Sequence, residues 1–231
     1  EIGAAVAVEC RARGIGLLLG PGMNIRRHPL TARNFEYYSE DPCLSGEMAA
    51  GMIKGIQGEG VGACVKHFAC NNSDTRRTRL NCMVDPRALH EIYLAGFERA
   101  IKKAAPAAVM GSYNQINGEQ ACESPWLLNH VLRELWGFKG TVLSDWGAVK
   151  DSVKAVKAGL DLQMPHSIQY MDSVKKALET GELSSQDLDE HCERILSLVF
   201  TYSMEGRERP KVDWESHHRL ARRAACECAV L

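Results

Sequence analysis

Short runs of β-branched and apolar residues alternate along the chain with longer stretches in which apolar positions recur every three or four residues. The short runs predict strands over 16–19, 62–65, 107–111, 141–144 and 160–164. Each is compact and largely apolar, as parallel strands covered on both faces should be. The longer stretches predict amphipathic helices between them, the alternation of βα units around a parallel sheet. A helix is already under way at Glu1 and runs to Arg13. Asp41-Pro42, Asp85-Pro86 and Ser124-Pro125 each place a capping residue before a proline at the first helical position. Leu89, Ile92, Tyr93, Phe97 and Ile101 fall on one face of the second of these helices, with Lys102 and Lys103 in its last turn, where they complement the helix dipole. Helices over 126–136 and 148–158 stop before Gly137 and Gly159, and Ser184 with Asp187 forms a capping box for a helix to Phe200.

These elements place the chain in the α/β class as an incomplete (β/α)8 TIM-barrel-like domain, since five strands cannot close a barrel whose usual length is about 250 residues. The expected division is a partial (β/α) barrel catalytic domain over 1–200, a polar, proline-containing linker over 201–213, and over 214–231 the first helix of a following α/β sandwich domain. There is no internal repeat and no low-complexity tract.

Composition narrows the partners. With 45% hydrophobic and 25% charged residues among 231, the chain suits a packed core and not disorder. Its 28 Lys and Arg against 29 Asp and Glu provide no field that attracts nucleic acid or an anionic membrane, so a neutral small molecule is the expected partner. No apolar run approaches the roughly 18 residues of a membrane helix. Nine cysteines, among them Cys10, Cys64, Cys70 and Cys82 in apolar stretches, lack zinc-ligand spacing and read as reduced, buried thiols. Cys226 and Cys228 have no second pair beside them, so no metal is expected. Localisation stays open because any export signal would precede Glu1; the unpaired cysteines lean toward the cytoplasm.

In a parallel α/β barrel the chemistry lies where strands end. The first strand is followed by Asn24, Arg26, Arg27, His28, Arg33 and Glu36, the second by Lys66, His67, Asn71, Asn72 and Asp74. The third leads to Ser112, Tyr113 and Asn114, and the fourth to Ser144, Asp145 and Trp146. Carboxylates, amides, cationic donors and aromatic faces together suit a neutral polyol, hence a sugar. No GxxxxGK[ST] loop points to phosphate, and no cofactor is called for. From spacing alone Asp145 reads equally as a site residue and as the cap of a helix starting at Gly147. Lys66 also reads as a structural ion-pair member, Trp146 as core, and the Arg26-Arg27-His28 run as a solvated loop. His90, His130, His166, His191, His217 and His218 read as surface residues.

The stretch from Gly20-Pro-Gly-Met-Asn-Ile-Arg-Arg-His-Pro-Leu to Arg33-Asn-Phe-Glu-Tyr-Tyr-Ser-Glu-Asp-Pro42 resembles the long signature of glycoside hydrolase family 3 β-glucosidases. Lys66-His-Phe-Ala-Cys-Asn-Asn72 with Arg77, Ser112-Tyr-Asn-Gln-Ile-Asn-Gly118, Leu143-Ser-Asp-Trp-Gly147 and Leu160-Asp-Leu-Gln-Met-Pro165 follow in that family's order over nearly the whole chain. The resemblance implies a retaining, exo-acting hydrolase of terminal nonreducing β-D-glucosyl residues, with Asp145 as the nucleophile that forms a covalent glycosyl-enzyme. It places Arg33, Lys66, His67, Arg77, Tyr113 and Trp146 around the sugar, and nearby Arg or Lys donors favour an ionised Asp145. It also implies an acid/base glutamate from a C-terminal domain and a sugar-binding aspartate from a preceding segment, neither of which these residues contain. Ser73-Asp74 stands where the family often has Gln-Glu, and Gln163 where Glu is frequent. Other readings are a β-xylosidase of the same family, a sugar-binding fragment without activity, and a Schiff-base aldolase acting through Lys66. The acid/base His that would mark an N-acetylglucosaminidase is not found. Neither the oligomeric state nor the aglycone can be read from these residues.

Overall fold

The computed structural model describes residues 1–229. Its centre is a four-stranded, fully parallel sheet of order β1-β2-β4-β7, formed by Leu17–Leu18, Gly62–Phe68, Ala108–Gly111 and Thr141–Ser144. Side chains alternate between two apolar clusters. Ala63, Val65, Val109 and Val142 face the larger one, while Cys64, Ala108, Met110 and Leu143 form the smaller with Leu17 and Met164 against it. Both faces being covered explains why these strands read as continuous apolar runs.

Helices connect the strands. α1 (Ile2–Ala12) leads to β1, α2 (Pro42–Gly58) to β2, and α3 (Pro86–Ala88), a π-helical stretch Leu89–Leu94 and α4 (Ala95–Ala104) lead to β4. Asp41 accepts from the Cys43 N–H and Asp85 from that of Ala88, as expected of caps before a proline. A π-helical Trp126–Leu135, whose Leu127 N–H donates to Ser124 Oγ, leads to β7. Then come α5 (Ser152–Lys157), α6 (Ile168–Glu179), α7 (Ser185–Tyr202) behind its Ser184–Asp187 capping box, and α8 (Trp214–Glu227). α8 lies on α1, with His217 Nδ1 2.7 Å from Glu9 Oε1. Val230 and Leu231, which the sequence assigns to this last segment, lie outside the described residues.

Several expectations are corrected. Among the described residues the central sheet has four strands where five were expected, because the run 160–164 contributes only one bridge, Leu143 to Leu162. The π stretch adds a residue to its turn and rotates the phase of the helix, so Leu94 faces the core at 1% exposure while Ile92 is turned out. The helix expected from 148 starts at Ser152, capped by Asp151, which accepts from the Val153 and Lys154 N–H groups. It ends before Gly159, whose φ of +94° and contact with Asn129 leave no room for a Cβ. α6 was not announced by the pattern. Nor was a second sheet of β3 (Asn81–Cys82), β5 (Gln115–Ile116) and β6 (Glu119–Gln120), closed by a two-residue Asn117-Gly118 turn in which both residues have positive φ. Of the cysteines, Cys10, Cys64, Cys70 and Cys122 are buried as expected, but Cys43, Cys192, Cys226 and Cys228 are exposed, and all nine are unpaired.

His191 is not a surface residue. It packs at 8% exposure against Asp161, whose carboxylate is fully buried. Asp161 Oδ1 accepts from His191 Nδ1 at 2.7 Å and Arg194 Nε at 2.8 Å. Its Oδ2 accepts from Arg133 Nη2 at 2.8 Å and from the Val142 N–H at 2.7 Å. Burial pushes the Asp161 carboxyl up, but the His191 hydrogen bond, the Arg133 charge and the remaining donors outweigh it and hold it below its ordinary value. Asp161→Ala should therefore cost about 3 kcal/mol in urea denaturation at pH 7, because Arg133 and Arg194 lose their compensation while keeping partial access to water. A loss below about 1 kcal/mol would mean that the cluster does not hold the fold together.

Candidate active site

The parallel register aligns the ends of β2, β4 and β7 along one edge. Lys66 and His67 lie inside β2 and not beyond its end, which corrects the strand limit drawn at Val65. A register shift between Lys66 and Phe68 makes His67 a bulged residue, so two consecutive side chains can reach the same edge against the usual alternation. The buried Asn24 replaces the missing ladder: its Nδ2 donates to the His67 carbonyl and its Oδ1 accepts the His67 N–H, both at 2.8 Å. A single-turn helix, Asn34–Glu36, brings Arg33 and Glu36 to the same place.

Around Asp145, His67 Nε2 lies 3.4 Å and Arg33 Nη1 3.9 Å from Oδ2. Oδ1 accepts the Trp146 N–H at 2.8 Å, whereas Oδ2 is buried without a hydrogen-bond partner. The Asp145 N–H is tied to the Gly111 carbonyl of β4 at 3.0 Å, and Gly147 N–H to that of Met164 at 2.8 Å. Asp145 thus ends a strand and caps no helix, since α5 begins at Ser152 behind Asp151.

Glu36 links the two cations of the cleft. One of its oxygens accepts from Arg33 Nε and the other lies 3.1 Å from Lys66 Nζ. Burial pushes the Glu36 carboxyl up, but the Arg33 hydrogen bond and the Lys66 charge outweigh it and hold it below the ordinary value. With its ammonium engaged by this carboxylate, Lys66 lacks the apolar pocket that a Schiff-base lysine requires, which weighs against an aldolase. Burial, and after it the charges of Arg33, Lys66 and Arg77, pushes His67 down to about 2. Its contact with Asp145 is therefore that of a neutral imidazole with a carboxylate.

Tyr113 connects the rest. Its hydroxyl is raised by burial first and then by the charge and hydrogen bonding of Asp145, and the Arg77 guanidinium lies 4.5 Å from its ring centroid. Arg77 Nη1 is also 3.0 Å from Asp74 Oδ1. Trp146 stands 60% exposed beside Asp145 and is not core. Arg26, Arg27 and His28 are exposed, and Gln163 turns away to accept from Ser152 Oγ at 2.9 Å. The structure gathers Arg33, His67 and Tyr113 around Asp145, and joins Lys66 to them through Glu36 and Arg77 through Tyr113. Glu36 was among the candidates after the first strand but not among the residues placed around the sugar, although its i,i+3 spacing from Arg33 was the available signal. Among the described residues no group of three or more His, Cys, Asp or Glu is placed to hold a metal, and no helix is long and apolar enough to cross a membrane.

Residues 1–198 match the glycosyl hydrolase family 3 N terminal domain. The thermostable beta-glucosidase B of Acetivibrio thermocellus is 51% identical over 232 residues, covering 100% of this chain and 31% of that protein. The exo-alpha-(1->6)-L-arabinopyranosidase of Bifidobacterium breve is 42% identical, over 100% of this chain and 30% of its own length. Beta-glucosidase 3B from Thermotoga neapolitana, solved in complex with alpha-D-glucose, superposes with a TM-score of 0.93 at 46% identity, covering 97% of this chain and 33% of its own. The chain thus spans about a third of the length of these proteins.

The double ion pair of Glu36 has a pH signature. Because its carboxyl is depressed in the folded state, its contribution is complete above the unfolded value, near 4.5, and is lost as pH falls through the lower folded value. Glu36→Gln should lower stability at pH 7 by about 1–2 kcal/mol, and the gap to the unaltered protein should narrow progressively as pH falls below 4.5. Urea titrations of both proteins at pH 7 and at a series of values below 4.5 measure this; a gap of constant size throughout would exclude the ion pairs as its cause.

Proposed function

The chain belongs to glycosyl hydrolase family 3, and from that premise we propose that it is the nucleophile-bearing part of a retaining, exo-acting β-glucosidase. The observation that carries this is Asp145 Oδ2, a buried carboxylate oxygen without a hydrogen bond, facing donors of Arg33 and His67 at the edge where three strands end. In this reading the Asp145 carboxylate attacks the anomeric carbon as the glycosidic bond breaks, and the departing oxygen takes a proton from a separate acid. Water then cleaves the glycosyl ester, giving its proton to the same group, and the configuration is retained.

Arg33, Lys66 and His67 offer hydrogen bonds to sugar hydroxyls, and Arg77 holds the Tyr113 ring beside the nucleophile. The exposed Trp146 indole offers an apolar face against which a pyranose can stack. Glu36 is read as the group that orients Arg33 and Lys66. We place the acid/base outside this cluster. Glu36 and Asp74 are each held in ion pairs with basic residues, and no other carboxyl is among the partners of Asp145. In the same reading the open sheet is part of a (β/α) barrel over 1–200, joined through 201–213 to a second domain that starts with α8. A second substrate class has its own support in the 42% identical arabinopyranosidase.

Two measurements test the proposal. Incubation with 2,4-dinitrophenyl 2-deoxy-2-fluoro-β-glucoside should add one fluoroglucosyl group to Asp145, seen by intact mass and peptide mapping, and Asp145→Asn should abolish it. The stable leaving group needs no acid, so slow turnover of dinitrophenyl β-glucoside is expected from these 231 residues, with cellobiose almost untouched. In a protein that includes the acid/base, Asp145→Asn should lower kcat by roughly 10³-fold or more. An adduct on another carboxylate overturns the assignment, and faster reaction with the arabinopyranoside counterpart favours the second substrate class.

A further inference from the structure

His67 is 1% exposed, and its low pKa leaves it with a single ring proton to place. Both nitrogens have polar neighbours. Nε2 lies 3.4 Å from Asp145 Oδ2, while Nδ1 is 3.1 Å from the Tyr37 hydroxyl and 3.3 Å from Asn24 Oδ1. Tyr37 is 2% exposed, and its oxygen accepts from Asn71 Nδ2 at 3.3 Å. Its ring meets that of His67 edge to face, with centroids 6.1 Å apart.

With the proton on Nδ1, the imidazole would donate to Asn24 Oδ1 or to Tyr37. Two costs follow. The Nε2 lone pair would then face a buried carboxylate oxygen, charge against lone pair with little solvent to screen it. The Tyr37 proton would have no acceptor among its described partners, the expensive case for a buried hydroxyl. With the proton on Nε2, the groups connect in one direction: Asn71 donates to Tyr37, Tyr37 donates to His67 Nδ1, and the N–H side of His67 faces Asp145 Oδ2 at 3.4 Å, with no hydrogen bond yet formed between them. The remaining cost is that the Nδ1 lone pair faces the oxygen of Asn24 at 3.3 Å.

We propose that Tyr37, supported by Asn71, is a positioning residue that fixes His67 as its Nε2–H tautomer and so turns an N–H, 3.4 Å away, toward Asp145 Oδ2 in place of a lone pair. This rests on the reading of Asp145 as the nucleophile. A donor at Oδ2 orients the carboxylate and stabilises the charge that returns to it when the glycosyl ester is cleaved. It also explains why a polar side chain is packed behind the site where an apolar one would fill the same volume: the hydroxyl is needed as a donor.

The tautomer can be read without substrate. In ¹⁵N-histidine-labelled protein at neutral pH, two-bond ¹H–¹⁵N correlations, assigned by the signal lost in His67→Gln, should show a protonated Nε2 and a pyridine-type Nδ1. The reverse pattern overturns the proposal, whether or not any variant folds. Tyr37→Phe keeps the ring and removes the donor. It should move His67 toward Nδ1–H and slow release of the fluoroglucosyl group from Asp145 to added azide by roughly 10- to 100-fold, because the carboxylate charge that the N–H faces develops in that step. A Tyr37→Phe protein with unchanged tautomer and unchanged release rate also overturns it. An Nε2–H tautomer in a protein that never forms the adduct supports the positioning and counts against the glycosidase reading alone.

Discussion

A carboxylate with no access to water survives in a folded protein only where enough donors converge on it, and Asp161 is where this chain meets that demand. Its two oxygens take four donors from the helix Trp126–Leu135, from α7 and from Val142, the second residue of β7. One of them, the Val142 N–H, lies three positions before Asp145. The charge that must be satisfied at the start of β7 therefore sets where that strand enters the sheet. The parallel register with β4 then carries the placement to the strand's end, where the Gly111 carbonyl takes the Asp145 N–H.

At the opposite end of β7 charge is balanced in another way. Three cations, Arg33, Lys66 and Arg77, crowd a cleft that also holds three carboxylates, Glu36, Asp74 and Asp145. Glu36 takes two of the cations and Asp74 the third, so each is oriented by a partner that is not the nucleophile. His67 is kept neutral by burial and by those same charges, so its contact with Asp145 adds no charge to the cleft. Preorganised donors of this sort suit a neutral ligand with many hydroxyls, because they do not have to be reoriented when it arrives.

Much of the architecture was legible because it is written in local chemistry. A cap followed by proline is an agreement between neighbours, so Asp41, Asp85 and Ser124 mark helix starts without reference to the rest of the molecule. The apolar runs of β2, β4 and β7 announce burial on both faces for the same reason. Where local rules allowed two answers, the reading went astray. The stretch after Asp145 is as good a helix start at Gly147 as at Ser152, and only the Asp151 cap separates the two. The run 160–164 is as apolar as a strand, yet its pairing is a single bridge to Leu143.

By itself the sequence determined the capped helix starts, the four strands of the central sheet, the run of strand-end motifs and the candidate site residues, since each depends on residues a few positions apart. Only the tertiary structure decided the rest. The bulge at His67 exists because β4 pairs on either side of it, 43 positions after the Asn24 that satisfies its backbone. His191, unremarkable on an amphipathic helix, is buried because Asp161, 30 positions earlier, needs its donor. Glu36 was in view as one acidic residue among many. Its importance appears only when Lys66 arrives from another strand to occupy the oxygen that Arg33 leaves open. Periodicity encodes which face a residue occupies. It does not encode which distant polar group will meet it there, because that depends on how buried charges are shared once the layers have packed.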